Sequence, residues 1–135
     1  MIRNYFYLIV GCLCILFAVT HTLNGMSSAL PMLDNAAMAH DAKVAFTYVW
    51  HIIGVENIVF GIALLIMAFQ KNQSEVRCAA WLIIALLSMR WVVITSVTLA
   101  NGSSVMQLIP DTIAILVVIT LLWFGTKVKD NVSDK

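Results

Sequence analysis

Four long apolar runs are separated by short polar stretches along this chain. They extend from about Tyr5 to Leu23, Val44 to Phe69, Ala79 to Leu99 and Ile109 to Phe124. Crossing a bilayer core takes roughly 20 helical residues, with a range of about 17–25. The second run is long enough to tilt or protrude, and the fourth is near the minimum. In lipid no water is present to satisfy backbone N–H and C=O groups, so each run is expected to be a helix. No internal repeat and no Gly- or Pro-rich linker divides the chain. The pattern predicts an all-α polytopic membrane protein: an up-down four-transmembrane-helix bundle forming a single domain over residues 1–135.

The breaks between the runs carry turn chemistry. Asn24-Gly25 signals a turn after the first helix. A short interfacial helix is expected from about Pro31 to Ala39, with Asp41 as a cap for the second transmembrane helix. Asn101-Gly102-Ser103-Ser104 reads as a turn, and Pro110 suits the first turn of the fourth helix. Asp111 then lies by the positive end of that helix dipole.

Composition agrees with this class. The chain is 61% hydrophobic and 11% charged, which leaves little outside the bilayer. The net charge is +1, and no basic patch is long enough to track phosphates, so a nucleic-acid partner is not expected. Arg3, Lys71, Arg77, Lys127, Lys129 and Lys135 fall on one side of the predicted bundle, and only Lys43 falls on the other. The positive-inside rule then places the chain in the cell inner membrane, with both termini cytoplasmic. Arg3 and the apolar run after it resemble the n- and h-regions of a signal peptide. No good small-residue cleavage site precedes Asn24, so the first helix is expected to be retained. Cys12, Cys14 and Cys78 form no C-x-x-C motif and read as small apolar residues.

The candidate chemistry lies in the few polar residues of the helices. Glu56 and Arg90 sit near the middle of the second and third runs. A charge at that depth costs roughly 2.5–3.5 kcal/mol on insertion scales, so it faces the protein interior and has a partner. His51 lies about 8 Å from Glu56 along the same helix. His21 ends the first helix and Asp111 begins the fourth. These residues define a polar cavity opening away from the cytoplasm.

Glu56, His51 and Arg90 are the candidate catalytic groups, with Glu56 or His51 moving a proton and Arg90 gripping an anionic or carbonyl group. His21, Trp91, Asp111 and Asn57 are the candidate ligand contacts. One tension remains in the pattern: His51 and Glu56 are about 140° apart on a helical wheel, so both face inward only at the border of two helices. Asn57 points elsewhere, towards the side of Gly54 and Gly61, whose spacing suggests close helix packing.

The layout His21-Thr22-Leu23-Asn24-Gly25, Tyr48-Val49-Trp50-His51 and Ile109-Pro110-Asp111 resembles that of small, uncharacterised bacterial four-helix membrane proteins. The resemblance covers most of the chain. It implies the fold and brings no activity with it. The placing of His and carboxylate in a membrane cavity is also similar to that of sterol-isomerase-like membrane proteins, by analogy alone.

Three functions follow as expectations. The first is binding of a small lipophilic molecule, with proton transfer as its chemistry. The second is a non-catalytic subunit or assembly protein, in which Glu56 and Arg90 form only a structural ion pair. The third is a non-covalent haem-binding electron carrier using His21 and His51. No spacing motif supports a metal site; Asp111 is the only obvious third ligand beside the two histidines. Membrane lipid is the expected surrounding, and a homo-oligomer or larger membrane complex is compatible with four short helices.

Overall fold

Backbone hydrogen bonding with no water available leaves helices as the economical solution, and the computed structural model is all-α. It describes residues 1–34, 38–102 and 104–130. Among these the helices are α1 (Tyr5–Asn24), α2 (Leu30–Asp34), α3 (His40–Phe69), α4 (Gln73–Ala100) and α5 (Leu108–Thr126). Four helical stretches are long and apolar enough to cross a membrane: Tyr5–Leu33, His40–Phe69, Gln73–Ala100 and Leu108–Thr126. The chain is a multi-pass membrane protein by these lengths and compositions, as the four apolar runs predict.

The helices run further than the apolar pattern alone indicates. α3 begins at His40 and α4 at Gln73, each before its apolar run starts. Polar first turns extend both helices into the interfacial zone, where water can serve their free N–H groups. The turn expected at Asn24-Gly25 is absent. Helical winding continues through a π-helical turn at Gly25–Ala29 into α2. Ser28 Oγ donates to Asn24 O at 2.7 Å and to Asn24 Oδ1 at 2.9 Å, so local polar groups close on the widened turn. α2 covers part of the expected interfacial helix, and residues 35–37 of that expectation lie outside the described residues. Asp41 does not cap α3. It sits inside the first turn, and Ala39 O accepts from Ala42 N and Lys43 N. Pro110 and Asp111 lie in the first turn of α5, as expected. Asn101 and Gly102 form a turn with Gly102 at φ 64°, and Ser103 lies outside the described residues.

The described chain divides into two compact units. One comprises Gly11–Leu65, and the other Met1–Val10 with Ile66–Lys135. In the first unit α1 packs antiparallel on α3. Contacts step from Gly11 against Gly61, through Thr22 against Gly54, to Gly25 against Trp50. Residue numbers rise along one helix as they fall along the other. Gly61 is where the backbones come closest: a Cβ there would meet Ile15 Cγ1 at 2.6 Å and Gly11 O at 2.9 Å. Small residues permit this approach, which dispersion and polar contacts must stabilise because lipid supplies no hydrophobic drive between helices.

The second unit gathers helix ends around a buried polar knot. Asn4 and Gln73 are almost fully buried. Asn4 Nδ2 donates to Gln73 Oε1 and to Gly125 O, both at 2.9 Å. Its Oδ1 accepts from Tyr7 N at 3.2 Å, which makes Asn4 the N-cap of α1. Gln73 Nε2 donates to Met67 O at 3.1 Å and to Gln70 O at 2.8 Å. Arg3 N and Asn4 N donate to Ala68 O. Ends of α1, α3, α4 and α5 therefore meet in one satisfied network.

Beside this knot the C-terminal segment docks on α4. Ser74 N donates to Asp130 Oδ1 at 3.1 Å, and Arg77 donates to Val128 O at 3.4 Å. These hydrogen bonds from Ser74, with the nearby Arg77 charge, hold the Asp130 carboxyl below its ordinary range. A lowered folded-state value means that docking is fully favoured above the free-carboxyl pKa and is lost as pH falls through the lowered value. The Ser74 amide resonance is expected to titrate with a midpoint below the usual carboxylate range. Asp130→Asn should remove that titration; a midpoint at the ordinary value would show that the tail is not docked.

Candidate functional site

α3 carries the densest set of polar side chains in the first unit, and six of them border one wide concavity. His40, Lys43, Thr47, Tyr48, His51 and Glu56 line a groove of about 790 Å³. Val44, Ile52 and Val55 supply its apolar lining. The repeat of three and four residues that joins most of these positions follows from helical geometry. The 140° between His51 and Glu56 is spanned because the groove is wide: Glu56 lies on one border and Lys43 on the other. His51 is exposed, and Glu56 is half-buried. Glu56 is not without a partner, and neither is Lys43. Thr47 Oγ1 donates back to Lys43 O at 2.9 Å, which holds its methyl and hydroxyl in a fixed orientation.

His21 occupies a different setting. Its ring stacks on Trp50 with centroids 4.4 Å apart and planes inclined by 11°. Trp50 Nε1 donates to His21 O at 3.1 Å, and His21 Nε2 lies 3.1 Å from Trp50 O. A carbonyl only accepts, so this geometry places a proton on Nε2. Each residue thus bonds the other's backbone while the rings stack. The indole also lies against Gly25, where a Cβ would run into Nε1. His21 is half-buried in a clasp between α1 and α3. Trp50 entered the sequence pattern only as a neighbour of His51, and nothing in that pattern pairs it with His21.

The haem expectation is tested by that geometry. Ligation through His21 Nε2 would break its bond to Trp50 O, and one face of the ring is already covered by indole. The residues present do not fit a haem held between His21 and His51. Among the described residues no three His, Cys, Asp or Glu side chains group as metal ligands.

Asn57 is buried on the α3 face that also carries Gly54 and Gly61, the face packed on α1. It is outside the groove lining and is not without a partner. The remaining candidates belong to the second unit. Arg90 is half-buried on α4 and has a partner. Trp91, also half-buried, donates its indole N–H to Thr112 Oγ1 at 3.0 Å and so ties α4 to α5. Asp111 is exposed in the first turn of α5. One turn beyond Trp91, Thr95 Oγ1 is buried with no hydrogen-bond partner among the described residues.

The polar knot of Asn4 and Gln73 was not anticipated as a polar centre. Its one signal is Asn4 immediately before the first apolar run, an N-cap type at an N-cap place. No family model matches the chain, and no curated protein or solved structure matches it.

Proposed function

We propose that the groove along α3 binds a small lipophilic molecule with a polar head, and that Glu56 and His51 exchange a proton with it. One observation carries this reading. A helix of membrane-crossing length presents hydroxyl, imidazole and carboxylate groups around one wide groove that also has an apolar lining. Glu56 has a partner and Thr47 bonds Lys43 O, but the exposed His51 ring and Tyr48 hydroxyl are groups that acyl chains cannot satisfy, so a polar or amphiphilic occupant is favoured there. Binding sites for small molecules have this makeup, mostly apolar with a few convergent polar groups. Imidazole and carboxylate are the usual acid–base pair near neutral pH. Arg90, a half-buried cation near the middle of α4, belongs to the other unit and is a separate candidate for gripping an anionic or carbonyl group. The lysine and arginine bias supports an inner-membrane setting with cytoplasmic termini, in which the His40 end of the groove faces the extracytoplasmic side.

Solvent extraction of protein purified in mild detergent, followed by mass spectrometry, tests the reading. A lipophilic molecule should be recovered from the wild type. Glu56→Gln and His51→Leu should each weaken its retention by about tenfold or more, since a hydrogen bond to a charged group contributes about 1.5–3 kcal/mol. Equal recovery from the folded variants would overturn it.

A second reading has its own support. Glu56 and Arg90 each have a partner, as charges that only fix helix register would. On that reading the chain is a non-catalytic subunit or assembly protein. It would copurify with another chain in fixed stoichiometry, and Glu56→Arg combined with Arg90→Glu would preserve its function.

A further inference from the structure

We propose that the knotted end of the second unit binds the headgroup of an anionic phospholipid. The occupant is a negatively charged phosphodiester of the phosphatidylglycerol type, gathered by Arg3, Lys71, Arg77, Lys127 and Lys129. These residues belong to the unit that does not contain the groove, so the proposal stands apart from the reading above.

Convergence supplies the first argument. The five cations come from three distant parts of the sequence, and printed bonds of the fold bring those parts together. Arg3 N donates to Ala68 O at 2.9 Å, which sets Arg3 beside the segment that carries Lys71. Asn4 Nδ2 bonds both Gln73 Oε1 and Gly125 O, so the start of α4 and the end of α5 meet at one point. Arg77 donates to Val128 O at 3.4 Å, between Lys127 and Lys129. Every one of these cations lies within four residues of Asn4, Gln73 or Gly125. Lys71, Lys127 and Lys129 are exposed, and Arg3 and Arg77 are half-buried.

Charge supplies the second. Among the described residues, two carboxylates share this end. Glu75 accepts from Asn72 Nδ2 at 2.7 Å, and Asp130 accepts from Ser74 N at 3.1 Å beside Arg77. Two carboxylates leave the five cations in excess. Arg77 Nε is buried with no hydrogen-bond partner among the described residues, so the guanidinium has donor capacity unspent. Guanidinium and ammonium groups bind phosphate through charge-assisted hydrogen bonds.

Depth selects a lipid as the source of that phosphate. α5 has 19 residues and is about 28 Å long, close to the hydrocarbon thickness of about 30 Å. When α5 spans that core, Lys127 and Lys129 emerge just beyond its boundary, in the headgroup zone. The contacts with Asn4 and Ala68 hold Arg3 and Lys71 at the same end. Tyr5 and Trp123 are exposed there, the amphipathic rings that favour a membrane–water interface. Lys127 Nζ lies 5.2 Å from the Trp123 ring centroid, so this cation accompanies a lipid-facing ring. Each Lys or Arg near an anionic membrane surface is worth about a fivefold gain in association.

Electron spin resonance of spin-labelled lipids tests the proposal. The chain is reconstituted in phosphatidylcholine vesicles with a trace of phosphatidylglycerol or phosphatidylcholine, each labelled at the same acyl carbon. The motionally restricted fraction then gives the relative association of the two lipids. At low salt, phosphatidylglycerol should be preferred by about fivefold or more. Lys71→Gln combined with Lys127→Gln and Lys129→Gln should reduce the preference below about twofold, while arginine at the same three positions should retain it. In the wild type, about 1 M salt screens charges within about 3 Å and should remove most of the preference, a readout that needs no variant to fold. Equal association of the two lipids with the wild type, or a preference unchanged in the glutamine variant, would overturn the proposal. Loss of the preference on adding millimolar inorganic phosphate at constant ionic strength would overturn the lipid as occupant and leave a soluble-anion site. Equal association of the two lipids, with a lipophilic molecule still retained through Glu56 and His51, would overturn this proposal alone.

Discussion

Replacing Trp50 with alanine is expected to lower the unfolding free energy by about 3 kcal/mol, the low end of the range for removing a buried aromatic side chain, because Trp50 is half-buried. The indole stacks on His21, donates to His21 O and lies against the Gly25 backbone. Its loss leaves a void where α1, the π-helical turn and α3 meet. Trp50→Phe should be much milder, because it keeps an aromatic ring and loses only the N–H. A hydrogen bond between membrane helices contributes about 0.6 kcal/mol on average and at most about 1.7. His21→Ala should fall between the two. Denaturant titration in micelles, followed by helical circular dichroism, gives all three values. A loss under about 1 kcal/mol for Trp50→Ala would show that this clasp does not hold α1 on α3.

The other large effect is expected at Asn4. Asn4→Leu removes three hydrogen bonds at once; it leaves Gln73 Oε1 and Tyr7 N short of a partner, and Gly125 O with only the bond from Val128 N. An unsatisfied buried polar group costs about 1–3 kcal/mol, so the variant should lose about 3 kcal/mol or more. The leucine also has to fit a site that is only 1% exposed. Asn4→Asp separates the components, since it keeps the acceptor for Tyr7 N and loses both donors. The same titration measures both variants. A neutral Asn4→Leu would mean that the helix ends are held without this knot.

The four spans were readable because hydrocarbon imposes so strong a constraint: long apolar runs had no alternative to helix. The end of α3 at Phe69 coincides with the end of its apolar run for the same reason. Helix starts were less readable. Gln73–Cys78 and His40–Lys43 are polar, so hydropathy excluded them, although polar residues are ordinary in a first turn at the interface. Asn24-Gly25 failed as a turn because tertiary packing overrode local preference. Gly25 is needed there so that Trp50 can approach, not to reverse the chain.

The candidate site was legible in part. Glu56 and His51 stood out as ionisable groups in apolar surroundings, and both line the α3 groove. The wheel angle between them looked like an obstacle because it treated the lining as a narrow stripe. Lys43 entered only as the lone basic residue on its side of the bundle and Tyr48 only as part of a short motif, while Thr47 carries no charge to mark it. His21 and Trp91 carried the right chemistry for ligand contacts, yet their polar atoms are directed at Trp50 O and Thr112 Oγ1. Side-chain partners across a helix contact have no signature in a single sequence. Asn4 and Gln73 illustrate the point most clearly: two unremarkable amides become the centre of a buried network only once the helix ends come together.

Native mass spectrometry of the wild-type chain released from mild detergent tests the central claim most directly. An occupied α3 groove predicts a reproducible added mass of a small lipophilic molecule on the 14.9 kDa chain, diminished in Glu56→Gln and His51→Leu. A bare chain in every preparation, or a chain seen only in stoichiometric complex with another protein, would contradict it.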